Sequence, residues 1–200
     1  MFLLPQLVES RQSKINGTIQ VYKLWGKYSI SVGNLTQSGG LVEQIWEKAL
    51  KAVASYQLPV NSILILGLGG GTAAKIVRKY WPQAQITGVD IDPVMIEMGE
   101  KYLGLEGAKI VIADAAEWIR KTDQKFDGVF VDVYQGKKIP ESVTNKEFLE
   151  NLRKRGRWAI FNRLKMKEFR LKNETFKQKL IKIFGQYEII KTPVNELLLV

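Results

Sequence analysis

The chain of 200 residues has no cysteine and no histidine. The first absence excludes a disulfide framework, thiolate-held zinc and a cysteine nucleophile. The second excludes Ser-His and Cys-His machinery and imidazole metal sites. Any general base must then be Asp, Glu, Tyr or Lys. Long apolar runs are missing as well, so no stretch is suited to spanning a bilayer. Met1-Phe2-Leu3-Leu4-Pro5 lacks the basic flank and full apolar stretch of a signal peptide. A cytoplasmic protein with no membrane partner is the expectation. No internal repeat, low-complexity linker, magnesium set or zinc set is visible, and the expected metal content is none.

Acidic residues are few. Twenty Asp and Glu face thirty Lys and Arg, a net charge of +10. Such an excess favours polyanionic partners. Much of it falls within residues 153–182, beginning with Arg153, Lys154, Arg155, Arg157 and Arg163. A solvated basic surface accounts for this run as well as a nucleic-acid patch does. The length suits one domain with a sizeable core, and 46% hydrophobic with 25% charged residues is ordinary for a globular protein.

Residues 17–33 predict a β-hairpin, with Thr18–Trp25 and Lys27–Val32 alternating about Gly26. Tyr22, Trp25 and Tyr28 on it could pack on the domain or form a homodimer surface. Leu41, Ile45, Ala49, Ala52 and Val53 recur at helical spacing. From residue 62 strands alternate with helices, which implies a parallel sheet covered on both faces. Predicted strands are 63–66, 86–89, 109–112, 126–131 and 158–161, and a basic helix covers 173–184. Residues 187–192 and 196–200 read as a closing antiparallel hairpin. The fold class is α/β: a Rossmann-like, mostly parallel seven-stranded sheet with that hairpin at its C-terminal end and a small β-hairpin before it. The division expected is 1–38 for the N-terminal extension and 39–200 for the cofactor-binding domain.

In such sheets ligands bind beyond the carboxyl ends of the strands. The first strand runs into Gly67-Leu68-Gly69-Gly70-Gly71-Thr72. Glycines there permit tight turns and close approach to a ligand, and the next helix offers free N–H groups. The second strand ends in Val89-Asp90-Ile91-Asp92, where a carboxylate can accept from both ribose hydroxyls. The third ends in Ile112-Ala113-Asp114-Ala115, where Asp114 can accept from an adenine amino group or cap the following helix. Candidate cofactor residues are therefore Gly67, Gly69, Gly70, Gly71, Asp90, Ile91, Asp114 and Ala115. Gly69, Gly71 and Ala74 also fit the dinucleotide pattern G-x-G-x-x-A, which keeps a nicotinamide cofactor in view.

Residues 63–132 resemble the class I S-adenosylmethionine-dependent methyltransferase superfamily, and within it the spermidine synthase branch of aminopropyltransferases. Gly69-Gly70-Gly71, Gly88 to Pro93, Glu97 to Tyr102, Ile112 to Ala115 and Phe126 to Asp132 carry the resemblance, and Glu147-Phe148-Leu149 extends it. It implies S-adenosylmethionine, or its decarboxylated form, as the bound nucleoside. It implies Asp132 as the group that takes a proton from an attacking amine, and Gln37 and Ser38 in a segment over the substrate; Tyr134, a candidate catalytic residue, could stack on or hydrogen-bond a substrate or be a half-buried loop aromatic. Two departures matter. The family's second carboxylate is Gln135 here, and its glycine-loop acid is missing, with Thr72 closing the loop. A neutral amide cannot pair with an ammonium as a carboxylate does. Methyl transfer to a small-molecule acceptor is thus the leading expectation. Aminopropyl transfer is the alternative, and an acidic pocket formed with Glu43 or Glu141 would favour it. A non-catalytic nucleoside- or RNA-binding module is the third.

Overall fold

The computed structural model describes residues 4–200. Met1 to Leu3, part of the stretch weighed as a signal peptide and of the 1–38 extension, lie outside the described residues. Among the described residues no helix is long and apolar enough to cross a membrane.

The N-terminal part is more than a hairpin. Strands β1 (Gln6–Ser13), β2 (Gly17–Leu24), β3 (Lys27–Val32) and β4 (Leu35–Gly39) form a four-stranded antiparallel sheet in chain order. The predicted hairpin is its centre. Trp25 and Gly26 both have positive φ at the two-residue turn, as strand twist favours there. Trp25 stands 75% exposed, whereas Tyr28 packs on Tyr102. The outer strands β1 and β4 were not expected from the pattern: β1 is largely exposed and β4 is five residues long.

The second sheet contains β5 (Ser62–Leu66), β6 (Gln85–Asp90), β7 (Ala108–Ile112), β8 (Phe126–Val131), β9 (Gly156–Leu164), β10 (Glu188–Lys191) and β11 (Asn195–Leu199). Their order is β10-β11-β9-β8-β5-β6-β7, parallel from β9 to β7, with β10 and β11 antiparallel. Helices α1 (Leu41–Ala54), α2 (Thr72–Tyr80) and α3 (Pro93–Leu103) alternate along the chain with this sheet, as do α4 (Ala115–Lys121), α5 (Lys146–Arg155) and α6 (Arg170–Phe184). Strand β5 is buried on both sides. Ile63 and Ile65 join a cluster with Trp46, Leu50 and Val77, and Leu64 and Leu66 join one with Leu149, Leu152 and Leu180. A third cluster packs Ile19, Val21 and Ile30 of the first sheet on Met95 and Met98 of α3.

Two boundaries differ from expectation. β9 extends to Leu164 because β11 pairs with it from Ile160 through Leu164. α6 begins at Arg170, directly after a 3₁₀ turn at Lys167–Phe169. The order of the sheet reverses between β5 and β8, and a crevice opens at that switch point.

Candidate nucleoside and transfer site

A cavity of about 420 Å³ lies at the carboxyl ends of β5, β6, β7 and β8. That is within the usual range for a small-molecule site. Ten of the sequence-predicted site residues line it: Gly67, Gly69, Asp90, Ile91, Asp114, Ala115, Asp132, Tyr134, Gln135 and Gln37. Gly70 and Gly71, in the same loop, are not among the cavity's lining residues. A Cβ on Gly70 would meet Ile30 and Leu103 at 2.8 Å, so this glycine serves packing between loop, first sheet and α3.

Gly67 has φ +82°, and a Cβ there would lie 2.3 Å from the Asp132 carbonyl oxygen. The close passage of β5 and β8 at their ends therefore requires glycine. Asp90 holds the loop as well as facing the cavity. Its Oδ2 accepts from the Gly69 N–H at 2.7 Å and its Oδ1 from the Asp92 N–H at 2.9 Å. Burial raises its carboxyl above the ordinary range, against these backbone donors. Asp114 caps α4, accepting from the Glu117 N–H at 2.9 Å through Oδ1, and its Oδ2 has no protein partner among the described residues. Asp92 caps α3 as expected and also accepts from Ser13 and Asn16 of the first sheet.

The first sheet forms one wall of the site. Ser38 Oγ accepts from the Gly70 N–H and Thr72 Oγ1 from the Gly39 N–H, both at 2.7 Å. β4, the strand that carries Ser38, is thereby fastened to the glycine loop. Gln37 Nε2 reaches across to the Gly136 carbonyl at 3.3 Å. Gly136 belongs to a tight turn in which Gln135 and Lys138 exchange backbone hydrogen bonds.

Asp132 follows β8 and lines the cavity as a half-buried residue. Its Oδ2 accepts from Trp46 Nε1 at 3.0 Å, and its Oδ1 from Asn162 Nδ2 at 2.7 Å. Burial pushes the carboxyl up to about 6; the two donors lower it and the Asp90 charge raises it. Tyr134 donates its hydroxyl to the Asn162 carbonyl at 2.8 Å, and burial holds its ionisation far above the ordinary range. Trp46, Asn162 and Asn195 also line the cavity, and the sequence pattern assigns none of them a role in the site. Trp46 reads as one more core position of α1, although a buried indole N–H needs an acceptor.

The rest of the lining is neutral. Leu35, Val42, Ile45, Leu164 and Met166 supply apolar lining. Glu43 and Glu141 are not among the lining residues, and Glu43 pairs with Lys75 at 3.5 Å. The cavity carboxylates are Asp90, Asp114 and Asp132. Among the described residues no cluster of metal-ligating side chains occurs.

The basic run does not form one surface. Arg155 and Arg157 pair with Asp123 and Asp127, Lys177 is buried with Glu174 and Glu196, and Arg163 is buried against Asn173 and Phe176. Arg153, Lys154, Lys179 and Lys182 join Lys146 along a shallow groove between α5 and α6.

The strand order and the crevice at its switch point define a Rossmann-like fold of the methyltransferase type. The chain belongs to the spermine/spermidine synthase domain family, whose sequence model matches residues 43–182. It is 36% identical over 165 residues to the polyamine aminopropyltransferase of Sulfurisphaera tokodaii, covering 76% of this chain and 53% of that one. Over 79 residues it is 40% identical to the eEF1A lysine and N-terminal methyltransferase homolog of Drosophila melanogaster, covering 36% of this chain and 12% of the other. The crystal structure of a probable spermidine synthase from Corynebacterium glutamicum shares the fold. It superposes with a TM-score of 0.81 at 17% identity, over 99% of this chain and 80% of that one. The chain spans about half, or less, of the length of the curated relatives it matches most strongly.

Proposed function

We propose that the chain is a sulfonium-nucleoside transferase, and that it passes the aminopropyl group of decarboxylated S-adenosylmethionine to an amine. One observation carries the reading. Asp132, a carboxylate raised by burial and held by Trp46 and Asn162, lines the same cavity as Asp90, Asp114 and a set of apolar side chains. Relatives named polyamine aminopropyltransferase, from the same family, support it.

For the nucleoside the cavity supplies acceptors for donors. Asp90 would take the ribose hydroxyls, and the unpartnered Oδ2 of Asp114 the adenine amino group, with Ile91 and Ala115 against the base. The sulfonium supplies a carbon made electrophilic by its positive sulfur. An ammonium pairs with Asp132 and gives it a proton, since nitrogen needs a free lone pair to attack. A carboxyl raised to about 6 is ionised at neutral pH and a better proton acceptor than an ordinary Asp. The nitrogen then bonds to the activated carbon, the carbon–sulfur bond breaks, and its electron pair returns to sulfur as a neutral thioether. Trp46 and Asn162 fix the carboxylate for this step, an alignment that lowers the barrier. Tyr134 contributes a wall and no proton, because its hydroxyl is committed to Asn162.

The acceptor is an amine with one charged end. Beyond Asp132 it would meet Gln135, Gln37 and apolar side chains, none of which balances a second ammonium. The same neutrality supports a second reading, methyl transfer from S-adenosylmethionine, which needs alignment and exclusion of water more than a charged pocket. Mass spectrometry of reactions with each nucleoside and a panel of mono- and diamines tests both. The proposal expects methylthioadenosine and an aminopropylated monoamine from the decarboxylated donor. Turnover of S-adenosylmethionine alone would overturn it in favour of methyl transfer.

A further inference from the structure

Asn195 lies on β11, outside the segment that matches the family. It is 3% exposed and Asn162 7%. An ionised carboxylate only accepts hydrogen bonds. Asn162 is accordingly turned with Nδ2 on Asp132 Oδ1, which leaves its Oδ1 on the far side. There Asn195 Nδ2 donates to it at 2.6 Å. The three side chains form one directed series, Asn195 to Asn162 to Asp132. The backbone of Asn195 is anchored in turn. Its N–H donates to Thr192 Oγ1 at 2.9 Å, and the Thr192 hydroxyl donates to the Asn195 carbonyl at 3.0 Å.

The series ends in an unpaired acceptor: Asn195 Oδ1 is buried with no hydrogen-bond partner among the described residues. A buried acceptor without a donor is costly. Turning both amides over would give this oxygen a donor in Asn162 Nδ2 and leave Asn195 Nδ2 unpaired in its place. It would also put Asn162 Oδ1 against Asp132, which requires a proton on the carboxyl. The direction of the series is therefore tied to the charge on Asp132. The other groups around Asp132 do not set it. Asp90 at the end of β6 raises the carboxyl, Trp46 on α1 is a neutral donor, and Tyr134 keeps its proton while facing Arg163 of β9.

We propose that Asn195 is a positioning residue: through Asn162 it holds the donor side of that amide against the ionised Asp132, and so sets how readily Asp132 takes a proton. This rests on the role of Asp132 proposed above. Removing Asn195 frees Asn162 to turn and accept from a protonated Asp132, so the neutral carboxyl gains. Asn195→Leu, close to Asn in shape and without any donor, removes the same hydrogen bond.

The test is a carbon-13 NMR titration of the full chain labelled at Asp carboxyls, with the Asp132 signal assigned by its loss in Asp132→Asn. The transfer rate is profiled against pH in parallel. Asn195→Ala should raise the Asp132 midpoint by about one unit, a tenfold gain in proton affinity, and Asn195→Leu by a similar amount. The acidic limb of the rate profile should move with it. If Asn195→Ala does not fold, Asn195→Leu, which fills the space and cannot donate, carries the test. An unmoved midpoint in the folded variant overturns the inference, while the role of Asp132 stands if the rate still follows its titration. A moved midpoint that the rate ignores upholds the inference and removes the role of Asp132.

Discussion

Replacing Asp132 by Asn should separate stability from activity. Burial raises the Asp132 carboxyl to about 6 in the folded chain, against 3.8 for an unperturbed Asp. Between those values the folded chain binds more protons than the unfolded chain, so stability falls as pH rises from about 4 to about 6. The difference of roughly two units corresponds to about 3 kcal/mol lost once Asp132 is ionised. Asn keeps the shape and cannot ionise. It can still accept from Trp46, and it can donate to Asn162 if the two amides beyond it turn over. Asp132→Asn should therefore be at least as stable as the parent at pH 7.5, by up to about 3 kcal/mol. Its stability should also change less between pH 4 and 6. Removal of a positioned base should lower the transfer rate by about 10² to 10⁴. Urea unfolding at several pH values, beside a product assay, measures both. A variant that is less stable at pH 7.5 with an unchanged pH slope would refute the buried-carboxylate reasoning, and a fully active one would refute the role in transfer.

Other outcomes follow from the same geometry. The transfer rate of the parent should rise as pH increases through about 6, where Asp132 loses its proton; a profile flat from pH 5 to 8 contradicts this. Trp46→Phe removes the donor to Asp132 Oδ2, so the acidic limb should shift upward and the rate should fall about tenfold more at pH 6 than at pH 8. Gly67→Ala drives a Cβ into the Asp132 carbonyl, and both folding yield and nucleoside binding should drop, read by thermal melts with and without methylthioadenosine. Ser38→Ala unfastens β4 from the glycine loop and should cost about 1 kcal/mol of stability while weakening nucleoside affinity.

The strands that frame the site were legible because each is buried on both faces and ends in a glycine or a carboxylate. β5, β6 and β8 therefore appear in the sequence as short apolar runs with polar termini. β1 did not, since Gln6 to Ser13 is a polar run that becomes a strand by pairing with β2. Nor did the full length of β9, which follows from the partner strand β11 rather than from its own composition. At the site, Asp90, Asp114 and Asp132 share a position at strand ends and were found together. Trp46, Asn162 and Asn195 come from a helix and two antiparallel neighbours, and only the folded chain brings them to one carboxylate. Glu43 and Glu141 illustrate the converse: acids close in sequence to the site whose side chains do not reach the cavity.

The most direct test of a sulfonium-nucleoside site is calorimetric titration of the chain, and of Asp90→Ala, with decarboxylated S-adenosylmethionine, methylthioadenosine, S-adenosylmethionine and NAD. The account predicts tightest binding of the decarboxylated donor and methylthioadenosine, lost when the Asp90 carboxylate is removed. Binding of NAD alone, or of none of the four, would contradict it.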